Sequence, residues 1–247
     1  MSRTTWIIFI ALCVGVLGGL VLLSRGAQLN VDNVNVEQHQ DASADSGNIA
    51  DHVFGDPSAP VTVIEYGDYQ CPGCGSAAPV LKEVSEKYKD KGVAFIFRNF
   101  PLSTIHPNAL AAASAAEAAG LQGKFWEMHN KLYDNQAAWE NLSSSDRTNL
   151  FVNYAGSLGI DTEKFKTDIT SDAVSKKIEY DTALGKKAGV QGTPTIYVNG
   201  ELVSDTRIKD GKKAPANDTS SPFVWSTAEN FTKYVIEPAL KKANETK

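Results

Sequence analysis

Two cysteines separated by two residues, Cys71-Pro72-Gly73-Cys74, are the part of this 247-residue chain best suited to chemistry. Such a pair opens and closes a disulfide, or supplies half of a metal site. The chain has only three cysteines, and the third, Cys13, lies in a distant apolar run. Its four histidines, His39, His52, His106 and His129, have no ligand spacing, so nothing completes a zinc site and no metal is expected. A purely structural bridge over so small a loop would constrain the unfolded chain very little. Reversible thiol–disulfide chemistry is the reading the spacing favours, with the Cys71–Cys74 disulfide as the redox group and no separate cofactor.

The elements around the pair give that reading a mechanism. Val61–Tyr66 (VTVIEY) is a β-branched and aromatic run that reads as a buried strand. Beyond Cys74, Val80, Leu81, Val84 and Tyr88 recur at helical spacing to about Lys89. The cysteines therefore sit where a strand hands over to a helix. The first N–H groups of a helix are unpaired and its dipole is positive there, which stabilises a thiolate at Cys71. Cys71 is expected to attack, and Cys74, a turn further in, to resolve. Pro72 suits the first helical position, where a missing N–H costs nothing. Glu65 lies inside the strand and must be paired, hydrated or protonated if buried. Two readings stand for it: proton transfer to the thiols, or exposure at a sheet edge.

These residues resemble the thioredoxin superfamily, and more closely its DsbA-like branch of tethered extracytoplasmic thiol–disulfide oxidoreductases. The likeness covers about residues 51–205. It rests on GDPSAPVTVIEYGDYQCPGC, FRNFPLSTIHPNALAAASAAEAAGLQGKFWEMHNKLYDNQ and GVQGTPTIYVNGE, in that order. It implies an α/β thioredoxin fold with an inserted all-helical domain at about 104–187. It implies that Pro194 is cis and faces the sulfurs, so that Thr193, Pro194, Pro72 and Gly73 shape a substrate groove. It matches Glu65 to the acid that the superfamily keeps beneath its disulfide. The implied substrates are exported proteins with free thiols, and the implied partner is a membrane-embedded, quinone-linked reoxidase. One departure is that Pro72-Gly73 lacks the histidine that some strong oxidants place between their cysteines.

The residues support the same architecture independently. Val93–Arg98 reads as a second strand. From about Thr104 to Lys187 only helical patterns follow, at Asn108–Ala119, Lys124–Tyr133, Asp146–Ala155 and Ser171–Lys187. Strand returns at Thr195–Val198, turns at Asn199-Gly200 and resumes at Glu201–Val203. Trp126, His129 and Tyr133 fit either core packing, the default, or a groove lining. His106-Pro107 reads as loop and helix-start structure. Ser226-Thr227-Ala228-Glu229 has the form of a capping box for a last helix through about Lys242.

The amino terminus adds a location. Trp6 to Leu23 are 18 uncharged residues, just long enough for a spanning helix. Residues 1–24 are read as a cytoplasmic stub and transmembrane anchor, the rival being a cleaved signal peptide. Gly15 and Gly19 have the spacing of a helix-pairing motif, but a monomer is the expectation. No Lys or Arg occurs between Arg25 and Lys82, which favours an extracytoplasmic bulk. Residues 25–50, polar and without Phe, Trp or Tyr, read as a flexible linker, and 51–247 as the catalytic domain. Apolar residues at 42% and charged residues at 21% exclude a disordered chain and a many-pass membrane protein, and a net charge of −5 gives no sign of a nucleic-acid partner. The expected activity is disulfide formation in exported proteins. The alternatives are an extracytoplasmic reductase or isomerase, or a non-catalytic peptide-binding module on the same fold.

Overall fold

The computed structural model describes Trp6 and residues 29–245. Apart from Trp6, the expected anchor at 1–24 lies outside the described residues, and among those described no helix is long and apolar enough to cross a membrane. The chain divides into two compact units, Met1–Asn33 and Val34–Lys247. The second carries the fold.

Its centre is a five-stranded sheet. β1 (His52–Phe54), β2 (Val61–Gly67), β3 (Val93–Asn99), β4 (Thr195–Val198) and β5 (Glu201–Leu202) lie in the order β1-β3-β2-β4-β5. β2 and β3 run parallel because α1 (Pro72–Tyr88) carries the chain back across the sheet, while the outer pairs are antiparallel. Only Thr62 of β2 is not fully buried, as expected of a central strand covered on both faces. Glu65 sits at the heart of this sheet, opposite Phe97 of β3 and Ile196 of β4, so it is not an edge residue.

Between β3 and β4 the chain is helical, as the periodicity predicts: α2 (Ala109–Gly120), α3 (Phe125–Asp134), α4 (Gln136–Trp139), α5 (Ser144–Ser157), α6 (Thr162–Asp168) and α7 (Asp172–Lys187). The alanines of α2 pack on Phe125, Met128, Leu132, Trp139 and Phe151, and this core takes in Cys71 and Cys74. A second core joins Val61, Val63, Leu81, Val84 and Phe95 to Trp225, Phe231 and Ile236 near the C terminus. A small ribbon, β6 (Ile208–Lys209) with β7 (Lys212–Lys213), lies in the polar loop before it. The last helix begins one residue later than its capping-box pattern suggests. Thr227, not Ser226, accepts from Asn230 N, because Ser226 ends a short 3-10 turn. Helix α8 (Ala228–Phe231) then widens into a π turn at Thr232–Ile236 before α9 (Glu237–Glu245), which accommodates Pro238.

The stretch expected as a flexible linker, 25–50, differs from that reading from Val34 onward. The Arg98 guanidinium, fully buried at the end of β3, donates to the carbonyls of Val36 and Gln38, both at 2.6 Å. Lys187 Nζ reaches Val34 O at 2.6 Å, and Ile49 is buried in the helical core. A buried guanidinium needs acceptors for its donors, and the backbone of this strap supplies them. Composition failed to signal this because the strap is held largely by its carbonyls, with Ile49 as its apolar anchor.

Candidate active site

Strand β2 ends at Gly67, and Asp68-Tyr69-Gln70 carry the chain to Cys71, the N-cap residue of α1, with Pro72 at its first helical position. Cys71 is 8% exposed and Cys74 is fully buried, so Cys71 is the sulfur a partner can reach. The thiols are unbridged in this structure. Cys71 Sγ lies 3.3 Å from the carbonyl oxygen of Thr193, and the Thr193–Pro194 bond is cis. Asp68 N donates to Cys74 Sγ at 3.5 Å. A Cβ added to Gly73 would lie 3.2 Å from Pro194 Cδ and 3.6 Å from Cys71 Sγ. The structure thus brings Cys71, Cys74, Pro72, Gly73, Thr193 and Pro194 into one site.

The two thiols are driven apart in acidity. A hydrogen bond from the Cys74 thiol, working against desolvation and with help from the Cys74 and Gly73 N–H groups, brings Cys71 down to about 5. Desolvation, reinforced by the hydrogen bond to Cys71, raises Cys74 well above an ordinary thiol. At neutral pH the pair is one thiolate and one thiol. Beneath it, Glu65 is 6% exposed and its Oε1 has no hydrogen-bond partner. Desolvation first, and then the charge of Cys71, raise its carboxyl to about 8. Two titratable groups with acidities pushed in opposite directions are the mark of acid–base work.

Several supporting residues escaped the sequence reading. Asp68 Oδ2 accepts from Leu102 N and pairs with His106 Nδ1, each at 2.8 Å, which fixes the loop before α2 beside the cysteines. His106 is therefore a loop-holding residue, in line with its expected structural role. Gln136 Nε2 donates to the carbonyls of Tyr69 at 2.7 Å and Cys71 at 3.0 Å. Aspartate in a turn and glutamine in a helix are too common to stand out, and only the fold reveals what they hold. His129 and Tyr133 are core residues, buried with Tyr69, Phe97 and Phe125, and Trp126 packs beside them. On the other side of Cys71 a groove of about 560 Å³ is lined by Gly73, Thr193, Pro194, Tyr197, Leu202 and Trp225. It is open enough for an extended peptide segment.

The family described as thioredoxin matches residues 47–214. BdbD from Bacillus subtilis, solved in its oxidised form, is 28% identical, with a TM-score of 0.60 over 83% of this chain and 98% of that one. The alpha-DsbA1 structure from Wolbachia pipientis is 26% identical, with a TM-score of 0.61 over 79% and 94%. A probable disulfide bond formation protein D from Bacillus cereus is 35% identical over 155 residues, 61% of this chain and 71% of that protein. The likeness also extends to part of a Na(+)/H(+) antiporter NhaA 1 from Salinispora arenicola, 40% identical over 150 residues, of whose length the chain spans only 22%. With its strand, cysteine pair and helix in place around a cis proline, and with the match running through all of them, the chain belongs to the thioredoxin family, in its DsbA-like branch.

Proposed function

We propose that the chain is a thiol–disulfide oxidoreductase that forms disulfides in exported proteins, with Cys71 attacking, Cys74 resolving and Glu65 moving the proton. The observation that carries this reading is the split between the two thiols: Cys71 at about 5 beside a Cys74 held well above an ordinary thiol. A stable Cys71 thiolate is a good leaving group, which favours the reduced form of the enzyme and makes its disulfide oxidising.

The proposed cycle runs as a two-step exchange. A client thiolate in the groove attacks Cys71 Sγ of the oxidised pair. The Cys71–Cys74 bond breaks, and Cys74 leaves as a thiolate that takes a proton from the Glu65 carboxyl. A second client thiolate attacks the client sulfur of the mixed disulfide, and Cys71 leaves as its stabilised thiolate. Two electrons pass from client to enzyme. Both client thiol protons have gone to solvent by the time the thiolates attack, and the proton on Cys74 comes from Glu65, which is left as a carboxylate. Thr193 O and Pro194 line the approach and hold the client chain as a short added strand.

An anchor at residues 1–24 would place this domain on the outer side of the cell membrane, near emerging chains and near a membrane-embedded, quinone-linked reoxidase. There disulfides persist. The protein acts as a monomer with its own disulfide as the only redox group.

The experiment is client capture. Cys74→Ser in the full chain accumulates mixed disulfides with reduced, unfolded ribonuclease, and Cys71→Ser does not. Wild-type oxidised protein gives that substrate disulfides. For scale, thioredoxin lies near −270 mV and DsbA near −120 mV, and a value of roughly −100 to −200 mV is expected here. A potential below that of thioredoxin, with no oxidation of ribonuclease, reverses the assignment to a reductase. Equal trapping by both serine variants removes the assigned roles.

A further inference from the structure

Asp68 joins the cysteine pair to the loop after β3. Its backbone holds both cysteines: its N–H donates to Cys74 Sγ at 3.5 Å, and its carbonyl accepts from Cys71 N at 3.1 Å. Its carboxylate is wholly buried, and each group that reaches it is a donor. Oδ1 takes Gln70 N at 2.7 Å, and Oδ2 takes Leu102 N and His106 Nδ1, each at 2.8 Å. An ionised carboxylate only accepts, so Nδ1 carries the hydrogen in that last contact. Among the described residues His106 is also the one base within ion-pair distance of Asp68. Its other nitrogen, Nε2, has no partner among the described residues and is not sealed from solvent, the side chain being 16% exposed. A proton taken up there makes an imidazolium that rests on a buried carboxylate. The loop does not need that charge to stay in place. Phe100 N donates to Gly67 O at 2.8 Å, and Asn108 N to Gln70 Oε1 at 2.6 Å, so neutral bonds already fasten both its ends.

We propose that His106, acting through Asp68, is a positioning residue that sets the redox poise of the cysteine pair, its imidazolium balancing the Asp68 carboxylate that otherwise opposes the Cys71 thiolate. The inference rests on the reading of Cys71 and Cys74 as the redox pair. A like charge nearby disfavours a thiolate, and the low dielectric of a buried site makes that charge felt. With His106 in place the carboxylate is compensated, the reduced enzyme is favoured and the disulfide is a stronger oxidant. The loop after β3 thus supplies the histidine charge that Pro72-Gly73 does not place between the cysteines. The other groups near the dyad do not duplicate it. The Tyr133 hydroxyl of α3 is raised well above an ordinary phenol by burial, and then by Cys74, Glu65, Tyr69 and Asp68, so it stays neutral. Glu65 of β2, at about 8, keeps its proton at neutral pH. Arg147 of α5 meets the loop only at its end, through Asn108 Oδ1.

The test equilibrates the full chain with glutathione at pH 6 and titrates the Cys71 thiolate by its absorbance. Oxidised enzyme and two glutathione thiols give the Cys71 thiolate, the Cys74 thiol, glutathione disulfide and one released proton, with two electrons passing to the enzyme. In His106→Asn the side-chain amide keeps the bond to Asp68 and loses the charge. This variant is expected to raise the Cys71 titration by about one pH unit, the low end of what one neighbouring charge does. The equilibrium constant then falls about fivefold, which is about 20 mV. His106→Ala should shift both readings the same way. In an Asp68→Asn background, where there is no carboxylate to balance, replacing His106 should change neither. If His106→Asn matches wild type, whether or not His106→Ala does, the histidine only holds the loop and the proposal is wrong. Should Asp68→Asn not fold, the comparison of His106→Asn with wild type decides alone. If wild type itself forms no reversible disulfide with glutathione, the redox reading of the pair fails and this inference with it.

Discussion

Glu65 is the residue whose energetics bear most directly on function. Its carboxyl is raised to about 8 by desolvation and by the Cys71 charge, against about 4.5 in an unfolded chain. Between those values the folded state holds a proton that the unfolded state has lost. Stability therefore falls as pH rises from about 4.5 toward 8, by roughly 1.4 kcal/mol per pH unit. Glu65→Gln removes that slope. The variant should be more stable than wild type at pH 7, by up to about 3 kcal/mol, while exchanging thiols more slowly. Denaturant unfolding of the reduced protein at pH 5, 7 and 8 checks this, and curves that stay parallel at all three would contradict it. Such a residue, proposed here to move protons and buried at a cost in stability, is also the one most legible in sequence, because a carboxylate inside VTVIEY violates the strand's own pattern. The cysteines were legible for the same reason: two reactive groups at fixed spacing where a strand becomes a helix. Asp68 and Gln136 break no local rule, and only three-dimensional contact identifies them.

The active-site turn depends on an element that lies 65 residues further along the chain. Gln136, at the start of α4, spans the gap between the helical insertion and the carbonyls of Tyr69 and Cys71. The fit is close: a Cβ on Gly75 would fall 2.6 Å from Gln136 Oε1. Gln136→Ala leaves the Tyr69 carbonyl without this donor, and removing one partner of a buried hydrogen bond costs about 1–3 kcal/mol. The variant should lose stability in that range in denaturant unfolding, and its Cys71 should titrate over a broader pH range because the turn is no longer clamped. An unchanged midpoint and an unchanged thiolate absorbance titration would show that the turn holds itself. At this scale the long elements could be read, since α1, α3 and α7 carry sustained periodicity over 17, 10 and 16 residues. The short ones could not. β1 is three residues, paired to β3 from outside the run that predicts a strand, and the β6–β7 ribbon lies in a loop with no alternation. The final helix hid its π turn because backbone hydrogen-bond register leaves no trace in side-chain type.

Across the whole Val34–Lys247 unit, the amino-terminal strap, the sheet and the helical insertion meet in a buried ionic network. Asp51 pairs with Arg98 at 2.8 Å and with Lys177 at 3.0 Å, and Lys177 pairs with Asp181 at 2.7 Å. Asn99 bridges Asp181 to Glu117, which pairs with His52. The strap packs so closely that Gly47, at φ +64, has no room for a Cβ: it would meet Ala173 O at 2.2 Å. Little of this could be read from composition, because apart from the i,i+4 pair Lys177–Asp181 each charge looks like surface until its partner, tens of residues away, is folded against it. Buried pairs add little net stability over an apolar substitute, but breaking one leaves a charge stranded and costs about 3–5 kcal/mol. Asp51 is the shared counter-charge of two buried cations, of which Lys177 keeps Asp181 and Arg98 keeps the strap carbonyls. Asp51→Asn should therefore destabilise the unit by about that amount and expose the strap to proteolysis between Val34 and Ile49. Lys177 and Arg98 hold the Asp51 carboxyl well below the ordinary carboxylate range, against the desolvation that opposes them. For a depressed carboxyl the stabilisation is in place above its unfolded value and is lost as pH falls toward its folded one. Wild type should thus weaken steeply below about pH 4, and Asp51→Asn, with no charge there to lose, should show a shallower acid limb. Equal acid limbs in the two proteins, or a strap equally protected from protease, would mean that the backbone carbonyls of Val36 and Gln38 hold Arg98 without help from the carboxylate.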